Sequence, residues 1–232
     1  GMSDLSTPPL DLCEETQKTS LEAYLAMSAI TESAKLVTAT RLGGGAIHEN
    51  WRIDIQFDSG PHAGLAALVL RAEGDAALSE SRGVSEEFAI AHVAHATGIT
   101  TPEPLWECDA SVLGRAFSVS RFVEGTTAGH LLVSDETIGG PRHRLIEQIG
   151  SELAQIQELT PSTAGLDFLT IPEPNPALSA IAEFRAALDT HIRPRPALEW
   201  GLYWLEQNAP VSNTLVLVHG DYRTGNFLVG NN

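Results

Sequence analysis

Residues 215–232 read LVLVHGDYRTGNFLVGNN. Four apolar residues run into His219-Gly220-Asp221, Asn226 follows five positions after the aspartate, and three more apolar residues precede the last glycine. Short apolar runs bounded by glycine predict two strands with a polar loop between them. One reading of that loop is a glycine turn whose polar side chains only satisfy its own backbone. The other is chemical: a carboxylate can accept a proton, an amide oxygen can ligate a cation, and the Arg223 guanidinium can meet an anion. A His-x-Asp pair is common by chance. The full pattern with Asn226, set between two apolar runs, is much less so.

Working outward, the residues before this stretch read as helix. Leu145, Ile149, Leu153 and Ile156 recur at spacings of three and four, which predicts a helix over residues 141–159. Residues 176–188 and 197–207 give two more. In the last of these Trp200 and Trp204 lie four apart, so they share a face, read here as core.

The first half reads differently. Strands are predicted over residues 36–42, 51–57 and 65–71, and Gly43-Gly44-Gly45 follows the first. On its own that glycine run is a hairpin turn. A lead-in helix over residues 21–30 takes Ser20 as its cap. A longer helix over residues 80–96 carries Phe88, Ala91, His92 and His95 on one face and ends at Gly98. No third ligand accompanies the two histidines, so they read as helix packing. Thr101-Pro102-Glu103-Pro104 forces an extended segment, and residues 116–123 predict a further strand. A sheet-rich half followed by a helix-rich half is an α+β pattern, with a cleft expected between the halves.

Composition narrows the partners. The 232 residues are 43% hydrophobic and 19% charged, so the chain folds rather than remaining disordered. A formal net charge of −16 argues against nucleic acid and against an anionic membrane surface, both of which need clustered Lys and Arg. It suits a cationic small substrate. Cys13 and Cys108 are too few for a disulfide framework or a zinc motif. With no apolar run near the ~18 residues of a membrane span and no signal peptide, the expected location is cytoplasmic.

Phosphoryl transfer needs a carboxylate for the nucleophile's proton and metal-binding groups for the phosphates. Protein kinases set these in one loop, H-R-D-x-x-x-x-N. The present H-G-D-Y-R-T-G-N has the same His–Asp and Asp–Asn spacings. Taken with LGGGAIHENW, LVLR, EEFAIAHVAHATGITTPEP and VLGRAFSVSRFVEG in order, the chain resembles the aminoglycoside phosphotransferase family. Its nearest likeness is to phosphotransferase domains found alone in bacteria or joined to acyl-CoA dehydrogenase-like proteins. The resemblance covers residues 36–232.

The resemblance implies a two-lobed protein-kinase-like fold, with a nucleotide-binding lobe over residues 1–123 and a partial catalytic lobe over residues 124–232. It implies ATP and magnesium as cofactors and a small-molecule hydroxyl as acceptor. Asp221 becomes the base, Arg223 the phosphate cation, His219 the loop support and Asn226 the metal ligand. Gly43, Gly44 and Gly45 cover the phosphates. Arg71, where the fold usually has Lys, pairs with Glu87, for which Glu86 is the near competitor. The backbone of Arg121 and Val123 meets the adenine, although the family often has an acid where Arg121 stands.

A further metal-binding Asp and acceptor-site helices follow the Asn in the family. Neither is present before Asn232, so the expectation is a truncated chain with impaired turnover and an exposed apolar surface through which homodimers form. A nucleotide-binding pseudoenzyme and a regulatory domain without a nucleotide site stand as rival readings. Aminoglycosides, other sugars or amino alcohols, and hydroxyacyl-CoA thioesters all stay open as acceptors.

Overall fold

Period-two alternation builds the sheet. The computed structural model describes residues 10–43, 48–74, 82–173, 175–211 and 214–230. In β3 (Gly64–Glu73) Leu68, Leu70 and Ala72 are buried, and the residues between them, Arg71 included, face the other way. β2 (His48–Phe57) buries Ile53, Ile55 and Phe57 on the same side as that core. With β1 (Ala34–Leu42), β4 (Pro104–Cys108) and β5 (Phe117–Arg121) they form one antiparallel sheet in the order β1-β2-β3-β5-β4. Residues 101–104, read only as extended, thus lead into an edge strand.

Helix α1 (Glu15–Ser28) covers the apolar face with Leu21 and Leu25. It starts before Ser20, correcting the expected cap. The Glu14 carboxylate accepts from the N–H groups of Thr16 and Gln17, satisfying two donors that a helix start leaves open. These bonds hold the Glu14 carboxyl below its usual range. Tyr24 meets Phe117 edge-on at 5.2 Å and donates to the Glu107 carbonyl at 2.6 Å, tying helix to sheet. Helix α2 (Val84–Ala96) ends as expected at Gly98, whose φ of +88° suits a residue without Cβ.

The chain forms two compact units, one of residues 1–153 and 220–232, the other of residues 154–219. The first also holds α3 (Gly129–Ser134), which the sequence did not announce, and most of α4 (Arg142–Ile156). The second contains α5 (Pro176–Asp189), capped by Asn175, and α6 (Pro196–Gln207). Arg185 of α5 bridges to Glu199 and Glu206 of α6 at 2.6 and 2.8 Å, and the hydrogen bonds to Glu206 lead in raising its pKa.

Two expectations fail here. Trp200 and Trp204 share a face, but it is the exposed one. Leu202, the buried residue of α6, lies two positions from each, which is about 200° around a helix. Residues 215–218 form no strand, and of residues 227–229 only Val229 pairs, in a single bridge to Thr126. The Leu217 N–H meets the Leu159 carbonyl at 2.7 Å, and no ladder extends from that bond. A strand exists only with a paired neighbour, and the second unit has none among its described residues. No helix among the described residues is long and apolar enough to cross a membrane.

Phe117 is fully buried between α1 and the sheet. Phe117→Ala should lower unfolding free energy by about 3–5 kcal/mol, seen as an earlier urea midpoint. A loss below about 1 kcal/mol would contradict this core.

Candidate functional site

The register of β2 on β3 assembles the first polar group. Asn50 lies opposite Arg71, and His48 opposite Glu73, all on the sheet face away from the apolar core. The Arg71 Nε–H donates to Glu87 Oε2 at 2.7 Å, and its Nη1 donates to Asn50 Oδ1 at 3.2 Å. Glu87 stands in the first turn of α2, whose N-terminal dipole favours a carboxylate. Glu86, the competitor, turns instead to Arg82 at 2.9 Å. The Arg71–Glu87 pair is about one-third exposed on each side, so it is worth about 1 kcal/mol or less in stability. Its consequence is geometric. A guanidinium has five donors in a fixed plane, and Nη2 is engaged by none of the described residues, leaving a fork edge for an anion.

Asn50 and His48 were absent from the sequence reading of the site. Their signal was the alternation of β2, which places both on one face, but only the register with β3 shows which face carries Arg71.

The second group is the loop after Gly220. Its far end is pinned by the Thr126–Val229 pair, which exchanges bonds at 2.9 and 3.0 Å, and by the Gly139 N–H on the Gly230 carbonyl at 3.1 Å. Val229 joins Leu132 and Leu145 in a small core of the first unit. The Arg142 guanidinium donates to the carbonyls of Leu132 in α3 and of Asp135, Ile138 and Gly140 in the loop after it, and so ties that loop to the helix. Tyr222 is anchored through its hydroxyl to the Ile149 carbonyl at 3.0 Å. Burial, then the charge of Glu152, pushes its phenol pKa up.

On this seat Asp221 is bracketed. Arg223 Nε donates to Oδ1 at 2.9 Å, and Asn226 Nδ2 donates to Oδ2 at 2.6 Å and to the Asp221 carbonyl at 2.9 Å. Gly220 and Gly225 hold φ of +81° and +102°, which lets the chain reverse around the carboxylate. With both Nδ2 hydrogens directed at Asp221, the Asn226 amide oxygen is left for another partner. An ionised carboxylate has about four acceptor positions, so these two bonds do not by themselves exhaust Asp221. Its side chain is 60% exposed. The Asp221–Asn226 contact was not anticipated: their five-residue spacing shows in the sequence, but a hydrogen bond across it does not.

At the end of β5 the Arg121 N–H is taken by the Glu103 carbonyl at 2.9 Å, so of the two backbone groups of Arg121 only the carbonyl is without a partner among the described residues. The Val123 N–H has no partner among the described residues. Glu103 also pairs with the Arg121 side chain at 2.7 Å, supplying locally the acid that position 121 lacks. A Cβ at Gly43 would meet nothing within 4 Å among the described residues. Gly44 and Gly45 lie outside the described residues. His219 is an exposed residue of the second unit.

Comparison with known proteins bears on this geometry. The model of the phosphotransferase enzyme family, APH, matches residues 38–232. Among solved structures, one from Ralstonia eutropha JMP134, assigned to the aminoglycoside phosphotransferases by its description, superposes with a TM-score of 0.67 at 20% identity. The match covers 91% of this chain and 60% of that one, and it shows a shared kinase-like fold. Curated proteins give no match.

Gly139 has a φ of +71°, and a Cβ there would sit 2.6 Å from Val229 Cγ1 and 3.1 Å from Leu145 Cδ1. Gly139→Ala should therefore loosen the seat of the Asp221 loop. Amide exchange at Thr126 and Val229 should speed up about tenfold or more, given a conformational cost of about 1–2 kcal/mol. Unchanged protection at both would show that the pairing does not depend on this close approach.

Proposed function

Because the chain belongs to the phosphotransferase enzyme family, we propose that it transfers the γ-phosphoryl group of ATP to a hydroxyl of a small molecule. The observation that carries this reading is the bracketed carboxylate. Asp221 stands between a guanidinium at 2.9 Å and an amide at 2.6 Å, in the loop whose spacing matches that of kinases.

The residues fit the two groups the reaction needs. Arg71 keeps one edge of its fork for phosphate oxygens, while Glu87 and Asn50 fix its plane. The amide oxygen of Asn226 is an oxygen donor for a magnesium ion that keeps several waters and takes further oxygens from the nucleotide. When bound, magnesium would neutralise charge on the phosphates. The Arg121 carbonyl and the Val123 N–H offer adenine an acceptor and a donor on one strand edge. Gly43 opens the glycine turn assigned to the phosphates.

In this mechanism Asp221 orients the acceptor hydroxyl. The acceptor oxygen bonds to the γ-phosphorus as the bond from that phosphorus to the β,γ-bridging oxygen breaks. The hydroxyl proton passes to Asp221, and ADP carries away the bridging oxygen with its electrons. Arg223 faces the same centre and stabilises charge on the transferring group. The net charge of −16 favours a cationic acceptor.

Nucleotide-dependent melting together with ADP release tests this. ATP with magnesium should raise the melting temperature of both the wild type and Asp221→Asn. Turnover should fall about 10²–10⁴-fold in the variant. Binding without turnover in the wild type would point to a pseudoenzyme. No nucleotide-induced shift, with or without magnesium, would overturn the reading.

A further inference from the structure

His48 is one of two buried polar or charged residues among those described, at 6% exposure, and nothing above gives it a role. Burying an imidazole is costly unless its nitrogens are satisfied. Neither Nδ1 nor Nε2 has a hydrogen-bond partner among the described residues. Yet Nε2 lies 3.3 Å from Glu87 Oε1. The two facts are compatible, since the approach is close but the direction is poor for a hydrogen bond. What remains is an electrostatic contact between ring and carboxylate.

The placement of that contact matters. Glu87 presents one oxygen, Oε2, to Arg71 and the other, Oε1, to His48. The imidazole therefore lies behind the carboxylate that orients the guanidinium. His48 and Asn50 sit two apart on one face of β2, and Asn50 holds the other arm of Arg71. One strand thus supports both sides of the same fork, directly through Asn50 and indirectly through His48. Without a group at Oε1, the Glu87 carboxylate could rotate about its last torsion, which is broad and soft. Arg71 would then lose its plane.

We infer that His48 is a positioning residue: it fixes the Glu87 carboxylate and through it the Arg71 guanidinium. Its effect on nucleotide binding rests on the kinase reading above, whereas its effect on Arg71 does not. A histidine serving only to fill space would be replaceable by any apolar side chain of similar size. A positioning histidine is replaceable only by a polar side chain that turns the positive end of its dipole toward Glu87 Oε1, as the Gln amide does.

The test uses the full chain with His48→Gln, His48→Leu and His48→Met. Its first readout is the Arg71 Nε–H resonance in nitrogen-15 NMR, assigned by its loss in Arg71→Lys. The resonance should be sharp and slowly exchanging in the wild type and in H48Q, and broadened by exchange in H48L and H48M. Two apolar variants guard against one of them failing to fold. The second readout is kinetic. KM for ATP should rise about tenfold in the apolar variants with kcat changed far less, and H48Q should restore it. An unaltered Arg71 resonance in the apolar variants would overturn the inference. A resonance lost in them, with no protein binding ATP, would sustain the positioning role and remove the kinase reading instead.

Discussion

The pairing of Arg71 with Glu87 is the interaction on which the site depends. It joins the central strand β3 to the first turn of α2 at 2.7 Å, and it fixes the plane of a guanidinium whose remaining edge can meet an anion. Little of the fold's stability comes from it, because both partners are partly exposed. Stability lies on the opposite face of the same strand, in Leu68, Leu70 and Ala72 against α1. The period of two along β3 thus separates the two duties. Even-numbered residues hold the core, and Arg71 between them faces Glu87 and Asn50 on the other side.

The Asp221 loop is held by a different device. It has no strand ladder of its own, and its order comes from a few contacts at its far end. Thr126 and Val229 exchange two bonds, Gly139 caps Gly230, and Arg142 gathers four carbonyls of α3 and the loop after it. Two of these three contacts depend on glycine or on a guanidinium, so single substitutions far from the carboxylate in sequence can reach it. Within the loop, Arg223 and Asn226 bracket the carboxylate on both oxygens. A short stretch of chain therefore carries its acid, its cation and its amide already in mutual contact.

Much of this was legible because it obeys local patterns. Short apolar runs announced β2, β3 and β5, the three-four spacing announced α4, and Gly98 marked the end of α2. What stayed hidden required knowledge of neighbours. That Glu87 rather than Glu86 meets Arg71 depends on how α2 is rotated, and that Asn50 faces Arg71 depends on strand register. The Trp200 and Trp204 face was correctly grouped but wrongly buried, since a shared face does not say which way it points. Residues 215–218 have the apolar run of a strand but no partner to make one. The α1 start was missed because its cap is a glutamate, which serves that position less often than serine. Pairing between Arg121 and Glu103 likewise needs the β4–β5 register, so the departure at position 121 looked like a change of charge when the site keeps it neutral.

The central claim is that the free edge of Arg71 and the Asp221 carboxylate address the same bound nucleotide. A crystal structure with a non-hydrolysable ATP analogue and magnesium tests it most directly. The account predicts Arg71 nitrogens within hydrogen-bond distance of the α- or β-phosphate and the Asp221 carboxylate turned toward the γ-phosphate, with Glu87 still on Arg71. Phosphates bound elsewhere, with Arg71 still facing an empty edge, would contradict it.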